Sequence, residues 1–264
     1  IGLGIPAEPL FRSSIIKIMS KNQSIIHDNK QNQYAPVVII LLIAFLFRLF
    51  ISYRVTGYMV DVNCFNSWGY TMASVGPARF YQATNFCDYP PLYTYILGLN
   101  SLIASLFDGN EGLTRIVFRF IPSLCDVLGC WIIYRTALKR NIDKRFALAF
   151  LIIMAFNPAT ILNSAAWGQM DSVLSLLILI VALLAIESKW TIALPVYMIS
   201  VLVKPQALML GPLGLAYIII TWIRSREQRK AIGLGTGISI LILLIGIIPF
   251  SINQSWDWLI QLYS

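Results

Sequence analysis

The chain has 264 residues, 58% of them apolar and only 12% charged, with a formal charge of +8 and a mean hydropathy of +0.72. That much apolar side chain cannot hide in one soluble core, which excludes an ordinary soluble domain and makes the bilayer the expected solvent. No basic face with interleaved aromatics asks for DNA or RNA, so the Lys and Arg residues are read by their position along the chain, as markers of membrane orientation.

The first methionine is Met19 and the chain opens without one, so residues 1–18 are expected not to be native and are set aside. Residues 20–33 are rich in Asn, Gln and Lys, with no cleavage site behind a short apolar core. Residues 1–35 therefore read as a cytoplasmic tail. Apolar runs follow at 36–52, 116–135, 146–162, 172–186, 207–223 and 231–250, with a shorter one at 191–203; a helix needs about 20 residues to cross the hydrocarbon. The run 92–107 is apolar but interrupted by Gly98, Asn100 and Ser101.

Charge decides whether that interrupted run crosses. If it did, the loops carrying Lys139, Arg140, Lys144 and Arg145 and carrying Arg224, Arg226, Arg229 and Lys230 would both face away from the Lys-bearing tail, against the positive-inside rule. If it lies along the interface, all three basic segments are cytoplasmic. The sequence thus predicts an all-α polytopic protein of about seven transmembrane helices, with a surface or half-inserted helix in the first external loop. Residues 55–115, 163–171, 204–206 and 251–264 then share the external side, and the polar motifs gather there.

Elimination narrows the chemistry. The only histidine, His27, lies in the tail, so no imidazole base, Ser-His pair or His-ligated zinc serves an external site. Acid–base work falls to the external carboxylates Asp61, Asp88, Asp108, Glu111, Asp171 and Asp257. Asp61, Phe65, Trp68 and Met72 recur at helical spacing, which predicts an interfacial helix with its acid at the membrane rim; Asp61 as a plain helix N-cap is the competing reading. Asp88 precedes Tyr89-Pro90-Pro91, where a turn alone is the competing reading.

The connection from Asn157 to Asp171 holds Asn163, Ser164, Trp167, Gly168 and Gln169. Trp and Gln offer a stacking face and paired amide hydrogen bonds that suit a sugar ring, against an interfacial belt with a helix cap. Lys204 before Pro205 predicts a helix break, where a cation near unwound backbone suits a phosphate, against a lysine snorkelling to the interface. Arg119 and Asp126, seven apart in one span, are expected to pair structurally, and the role of Arg48 is open. Cys64 and Cys87 share the external loop, where an oxidising compartment would allow a disulfide; Cys125 and Cys130 read as packing thiols.

The order of Asp61, a Trp seven residues on, Asp88-Tyr89-Pro90-Pro91-Leu92, Arg119 with Asp126, Trp167-Gly168-Gln169-Met170-Asp171-Ser172 and Lys204-Pro205-Gln206 resembles the GT-C glycosyltransferases. Within them it is most similar to bacterial relatives of the mannosyltransferase that adds the second mannose of GPI anchors, and next to the dolichyl-phosphate-glucose glucosyltransferases. The resemblance covers residues 36–264 and implies a GT-C module with interfacial helices in its first loop, in a bacterial plasma membrane, with its site outside the cytoplasm.

It further implies an inverting transfer of a hexose, mannose before glucose, from a polyprenyl-phosphate-hexose donor to a lipid-linked glycan, glycolipid or protein acceptor. Asp61 would be the general base, Asp88 a second carboxylate orienting substrate, Tyr89, Trp167, Gln169 and Asp171 contacts to sugar or acceptor, and Lys204 with Gln206 neighbours of the donor phosphate. No metal or cofactor is implied, because the lipid carries the activated sugar. The carboxylate that some relatives hold two residues after the first-loop Asp is Asn63 here, and further spans are expected beyond Ser264. The rival class is a transporter or flippase with Lys204, Arg119 and Asp126 along a bilayer path; no internal repeat supports it.

Overall fold

The computed structural model of the protein describes residues 34–107, 109–255, 257–258 and 260. The tail with His27, and Asp108 of the first loop, lie outside the described residues. The chain divides into two compact units, residues 1–43 and 44–264. The described part of the first is the opening of helix α1 (Tyr34–Arg54), which continues into the second.

After α1 come α2 (Met59–Val75), α3 (Pro77–Ala83) and α4 (Pro91–Ala104), all within the loop expected to hold interfacial helices. There follow α5 (Glu111–Lys139), α6 (Lys144–Ala155), the short α7 (Pro158–Ile161) running into a π turn (Leu162–Trp167), α8 (Asp171–Ile186) and α9 (Trp190–Val203). A 3-10 turn (Pro205–Leu210) leads into α10 (Gly211–Arg224), and α11 (Arg226–Ser251) closes the order. The described residues form helices and no strands.

The protein is an all-α polytopic membrane protein. Among the described residues, five helical stretches are long and apolar enough to cross a bilayer: Tyr34–Arg54, Glu111–Lys139, Lys144–Trp167, Pro205–Arg224 and Arg226–Ser251. The two other expected spans are the shorter apolar helices Asp171–Ile186 and Trp190–Val203, and the interrupted run is the helix Pro91–Phe107.

Local chemistry sets the ends. Asn110 caps α5 by accepting from Leu113 N at 3.1 Å, and Asp143 caps α6 by accepting from Arg145 N at 2.8 Å. The run 146–162 lies in the span Lys144–Trp167, which is interrupted after Ala155. Asn157 accepts from Ala159 N at 2.9 Å and Pro158 stands at the first helical position, so this pair restarts the helix. Lys204 is extended (φ −154°, ψ 125°), the break expected before Pro205.

Close packing of α2 on α4 relies on glycine. A Cβ on Gly69 would lie 2.7 Å from Leu97 O, and one on Gly98 would lie 2.7 Å from Met72 Cγ. The face expected to be apolar buries Phe65, Trp68 and Met72 against this partner. Trp68 Nε1 donates to Phe86 O at 2.6 Å, and Phe65, Trp68 and Tyr93 surround the Tyr89 ring at centroid distances of 5.8, 5.7 and 4.5 Å. Tyr81 adds a bond to Tyr89 O at 2.9 Å. The loop before α4 is therefore locked to α2 by aromatic contacts.

Arg119 and Asp126 do not pair. Seven helical residues separate them by about 10 Å along the axis, and each meets a nearer partner. Arg119 Nη1 donates to Ser52 O at 3.2 Å, Val55 O at 2.6 Å and Ala165 O at 3.2 Å, and its Nη2 to Thr56 O at 2.7 Å. It thus satisfies carbonyls left open where α1 ends. Asp126 instead faces Arg48, whose Nε lies 3.2 Å from Asp126 Oδ2, and Ser164 Oγ donates to the same oxygen at 2.6 Å. Arg48 is fully buried and also donates to Ala155 O at 2.7 Å, so its open role resolves into a buried ion pair beneath the π turn.

Cys64 and Cys87 are free thiols, not a disulfide. Both belong to the apolar cluster under α2. Burial, with an opposing backbone hydrogen bond and the charge of Asp88, pushes the Cys87 thiol up to about 12, which keeps it protonated and unreactive.

Candidate functional site

Asp61 occupies the third position of α2, whose N-cap is Tyr58 with no side-chain cap bond, so the carboxylate is not an N-cap. Its place is set by the connection from α1. Gly57 takes φ +83°, and a Cβ there would lie 2.4 Å from Ala166 O and 2.7 Å from Arg119 Nη2, so only glycine lets the chain pass this close to the π turn. Arg119 clamps the same crossing from below through its four carbonyls.

The π turn delivers the partners of Asp61. Gly168 (φ +87°) ends it, and the N–H groups of Gly168 and Gln169 both donate to Asn163 O, at 3.0 and 3.1 Å. This reversal turns Trp167 and Gln169 toward α2: Trp167 Nε1 donates to Asp61 Oδ2 at 2.9 Å and Gln169 Nε2 to the same oxygen at 2.5 Å. Both bonds fall on Oδ2, and Oδ1 has no hydrogen-bond partner among the described residues. Trp167 is 40% exposed, and Tyr58 stands edge-on to it at 5.8 Å.

Tyr89 and Lys204 complete the network. Tyr89 Oη donates to Gln169 Oε1 at 3.1 Å, and Lys204 Nζ sits 5.8 Å from the centroid of the Tyr89 ring. Lys204, 8% exposed, pairs with Asp171, whose Oδ2 accepts from Asn163 Nδ2 at 2.9 Å. Burial drives the Asp171 carboxyl upward, but the hydrogen bonds from Lys204 and Asn163 outweigh it and hold Asp171 below the ordinary value. Burial, with Asp171, Asp88 and Asp61 adding to it, raises the Tyr89 hydroxyl well above its ordinary value, so it stays a neutral donor.

Six of the eight residues singled out in the sequence, Asp61, Tyr89, Trp167, Gln169, Asp171 and Lys204, are thus joined in one network, although they come from four separate stretches of chain. Asp88 and Gln206 are exposed and do not join it. Asp88 adjoins the network through Tyr89, while Gln206 lies on the turn after Lys204. Lys204, Arg119 and Asp126, the residues of the transport reading, are each engaged in bonds within the fold.

A cavity of about 240 Å³ opens beside Trp167, lined among others by Thr56, Asn63, Asn66, Thr114, Arg115 and Arg119. Sequence reasoning passed over Asn66 and Arg115, and counted Asn63 only as a missing carboxylate. The signal was present: Asn63 and Asn66 stand three apart on α2, on a polar stripe beside the buried one. Tyr58 and Gly57 carried no signal, because their importance comes from a crossing between distant segments.

No curated protein matches the sequence. A family model described as dolichyl-phosphate-mannose-protein mannosyltransferase matches residues 88–256, more than half of the chain, and takes in every residue of the network except Asp61. The chain belongs to this dolichyl-phosphate-mannose-protein mannosyltransferase family, and is a membrane glycosyltransferase of GT-C type.

Proposed function

We propose that the protein transfers a hexose, mannose in preference to glucose, from a polyprenyl-phosphate donor to an acceptor hydroxyl, with inversion and with Asp61 as general base. The observation that carries this reading is the asymmetry at Asp61: Trp167 and Gln169 both hold Oδ2, which fixes the carboxylate and leaves Oδ1 to take a proton. The acceptor oxygen attacks the anomeric carbon, its proton passes to Asp61, and the bond from that carbon to the phosphate oxygen breaks. Polyprenyl phosphate leaves as a stabilised anion, so one base suffices, in contrast to glycosidases, which need a carboxylic acid as well.

Trp167 supplies an exposed ring for a sugar face and Tyr89 a neutral hydroxyl at the far side of Gln169. Asp171 holds Lys204 in place until the donor phosphate competes for its charge, with Gln206 at the outer edge of the same turn. Asp88 is assigned to orienting substrate at the rim. Of the acceptors considered, lipid-linked glycan, glycolipid and protein, the family description favours a protein hydroxyl, and the same words favour mannose. Residues 36–264 are the module that carries this site, on the extracytoplasmic side of a plasma membrane, a reading that the distribution of Lys and Arg along the chain supports.

The test is transfer of radiolabel from polyprenyl-phosphate-mannose and polyprenyl-phosphate-glucose into lipid and protein fractions, by membranes carrying the protein or its Asp61→Asn variant. Mannose transfer by the first and not the second is expected. Equal transfer by both removes Asp61 from the mechanism, and vectorial movement of donor without transfer replaces the enzyme with a transporter.

A further inference from the structure

The ion pair of Arg48 with Asp126 lies beneath the π turn and takes no part in the chemistry assigned to Asp61. Arg48, Ser52 and Ser164 are fully buried, and the Asp126 side chain is 9% exposed. Taking two charges out of water costs about as much as their attraction returns, so such a pair adds little net stability over apolar packing. What it supplies is fixed geometry, and here that geometry is directed at the turn. Arg48 Nη1 donates to Ala155 O at 2.7 Å and its Nη2 to Thr160 Oγ1 at 3.3 Å, on either side of Asn157-Pro158, while Asp126 Oδ2 accepts from Ser164 Oγ at 2.6 Å. Ser164 Oγ also lies 2.9 Å from Thr160 O, but its single proton goes to the carboxylate, which is nearer and charged.

The next residue is held as well. Ala165 O accepts from Ser52 Oγ at 3.0 Å and from Arg119 Nη1 at 3.2 Å. Side chains of α1 and α5 thus fasten the middle of the turn at two consecutive residues, while its flanks border open space. Thr160 and Asn163 line a cavity of about 410 Å³, and Trp167 and Gly168 line the cavity of about 240 Å³. A π turn is rare winding, used as single turns and often at functional sites. Winding decides direction, because each residue of an α-helix turns the chain by about 100°. Wound as an α-helix from Ser164 onward, the segment would point Trp167 and Gln169 elsewhere, and Asp61 Oδ2 would lose both of its donors.

We propose that Ser164 is a positioning residue for the transfer reaction: its hydroxyl, bonded to the buried pair of Asp126 and Arg48, keeps the π turn wound, and that winding aims Trp167 and Gln169 at Asp61. The proposal rests on the reading of Asp61 as the base. Ser164 bonds to Asp126 and not to Asp61, and it precedes Trp167 and Gln169 in the chain, so it acts through the backbone of the turn. The costly burial of Arg48 and Asp126 then has a use at the site, as a rigid post for the segment that holds the carboxylate.

Ser164→Ala tests this, because it removes the hydroxyl and leaves the ion pair in place. In protein labelled with fluorotryptophan and kept in detergent, the Trp167 fluorine resonance is the one lost in Trp167→Phe, and Ser164→Ala is expected to move it. The same substitution should lower kcat/KM for mannose transfer by about tenfold or more, as small misplacements of a reacting group do. In the Trp167→Phe/Gln169→Leu background, where both donors to Asp61 are already gone, adding Ser164→Ala should lower the rate no further. An unmoved resonance, an unchanged rate, or an equal fall in both backgrounds overturns the proposal, since an equal fall is what a general loss of folded protein gives. Failure of the base reading shows separately: Asp61→Asn then transfers at the wild-type rate, whereas failure of the Ser164 proposal alone leaves Asp61→Asn inactive.

Discussion

Gln169 donates its side-chain amide to Asp61 Oδ2 at 2.5 Å, joining the head of the first-loop helix to the residue that follows the π turn. Trp167, two residues earlier, donates to the same oxygen from the other side of Gly168. The carboxylate is thereby aimed by the turn between α7 and α8 as much as by its own helix.

Removing one of these donors should lower transfer while leaving the fold intact. Trp167→Phe keeps the ring but not the indole N–H, and a hydrogen bond to a charged group contributes about 1.5–3 kcal/mol. The expected fall in kcat/KM is about tenfold or more, in a protein that still folds and unfolds cooperatively with a modestly lower melting temperature. Initial rates of mannose transfer measure it, and a rate equal to wild type would show that the bond does not position the carboxylate.

The re-pairing of the buried charges predicts a specific pattern of coupling. Asp126→Asn leaves Arg48 without its counter-ion and should cost about 3–5 kcal/mol, while replacing both residues by apolar ones should cost much less. Arg119 shares no partner with Asp126, so Arg119→Met with Asp126→Asn should be close to additive. Thermal unfolding in detergent of the single and double variants decides it; strong coupling of Arg119 to Asp126 would restore the pair expected from the sequence.

Gly57→Ala is expected to destabilise the protein and depress transfer together. The substitution strains a positive φ and drives a methyl into Ala166 O and the Arg119 guanidinium. Gly129→Ala, where a Cβ meets nothing within 4 Å, serves as the control with an unchanged melting temperature.

The ion pair between Lys204 and Asp171 carries a pH signature. Because the folded protein holds Asp171 below its ordinary value of 3.8, the pair's contribution is complete above that pH and is lost as pH falls through the lower, folded value. The melting-temperature gap between wild type and Lys204→Met should therefore be constant above that pH and close below it. A gap that persisted in stronger acid would remove the ion pair as its cause.

The free thiols make a labelling prediction. A thiol held near 12 carries almost no thiolate at neutral pH, so Cys87 should resist maleimide until the protein is denatured, without any need for reductant. Labelling that required reductant would reinstate the disulfide between Cys64 and Cys87.

Much of the architecture was legible because bilayer thickness and helical periodicity act on long stretches of sequence. Runs of apolar residues marked the spans, Pro205 marked the break after Lys204, and the spacing of Phe65, Trp68 and Met72 marked the buried face of α2. The connection from Asn157 was marked by Asn157-Pro158, but that its first part stays helical, inside the span Lys144–Trp167, was not. The pairing of Arg119 with Asp126 was misjudged because spacing along one helix shows only which side chains share a face: the partners of Arg119 lie at and just past the end of α1 and on the π turn, and those of Asp126 on α1 and the π turn.

By itself the sequence determined an all-helical membrane protein and brought most of the chemically suited side chains to one end of its bundle. Hydropathy and charge are summed locally, so they survive without coordinates. Only the tertiary structure decided that Trp167 and Gln169 converge on a single oxygen of Asp61, that Arg119 closes the end of α1, and that Lys204 is balanced by Asp171. Those choices depend on contacts at near atomic distances between segments up to about a hundred residues apart, where glycine at 57 and 168 permits an approach that no local pattern encodes.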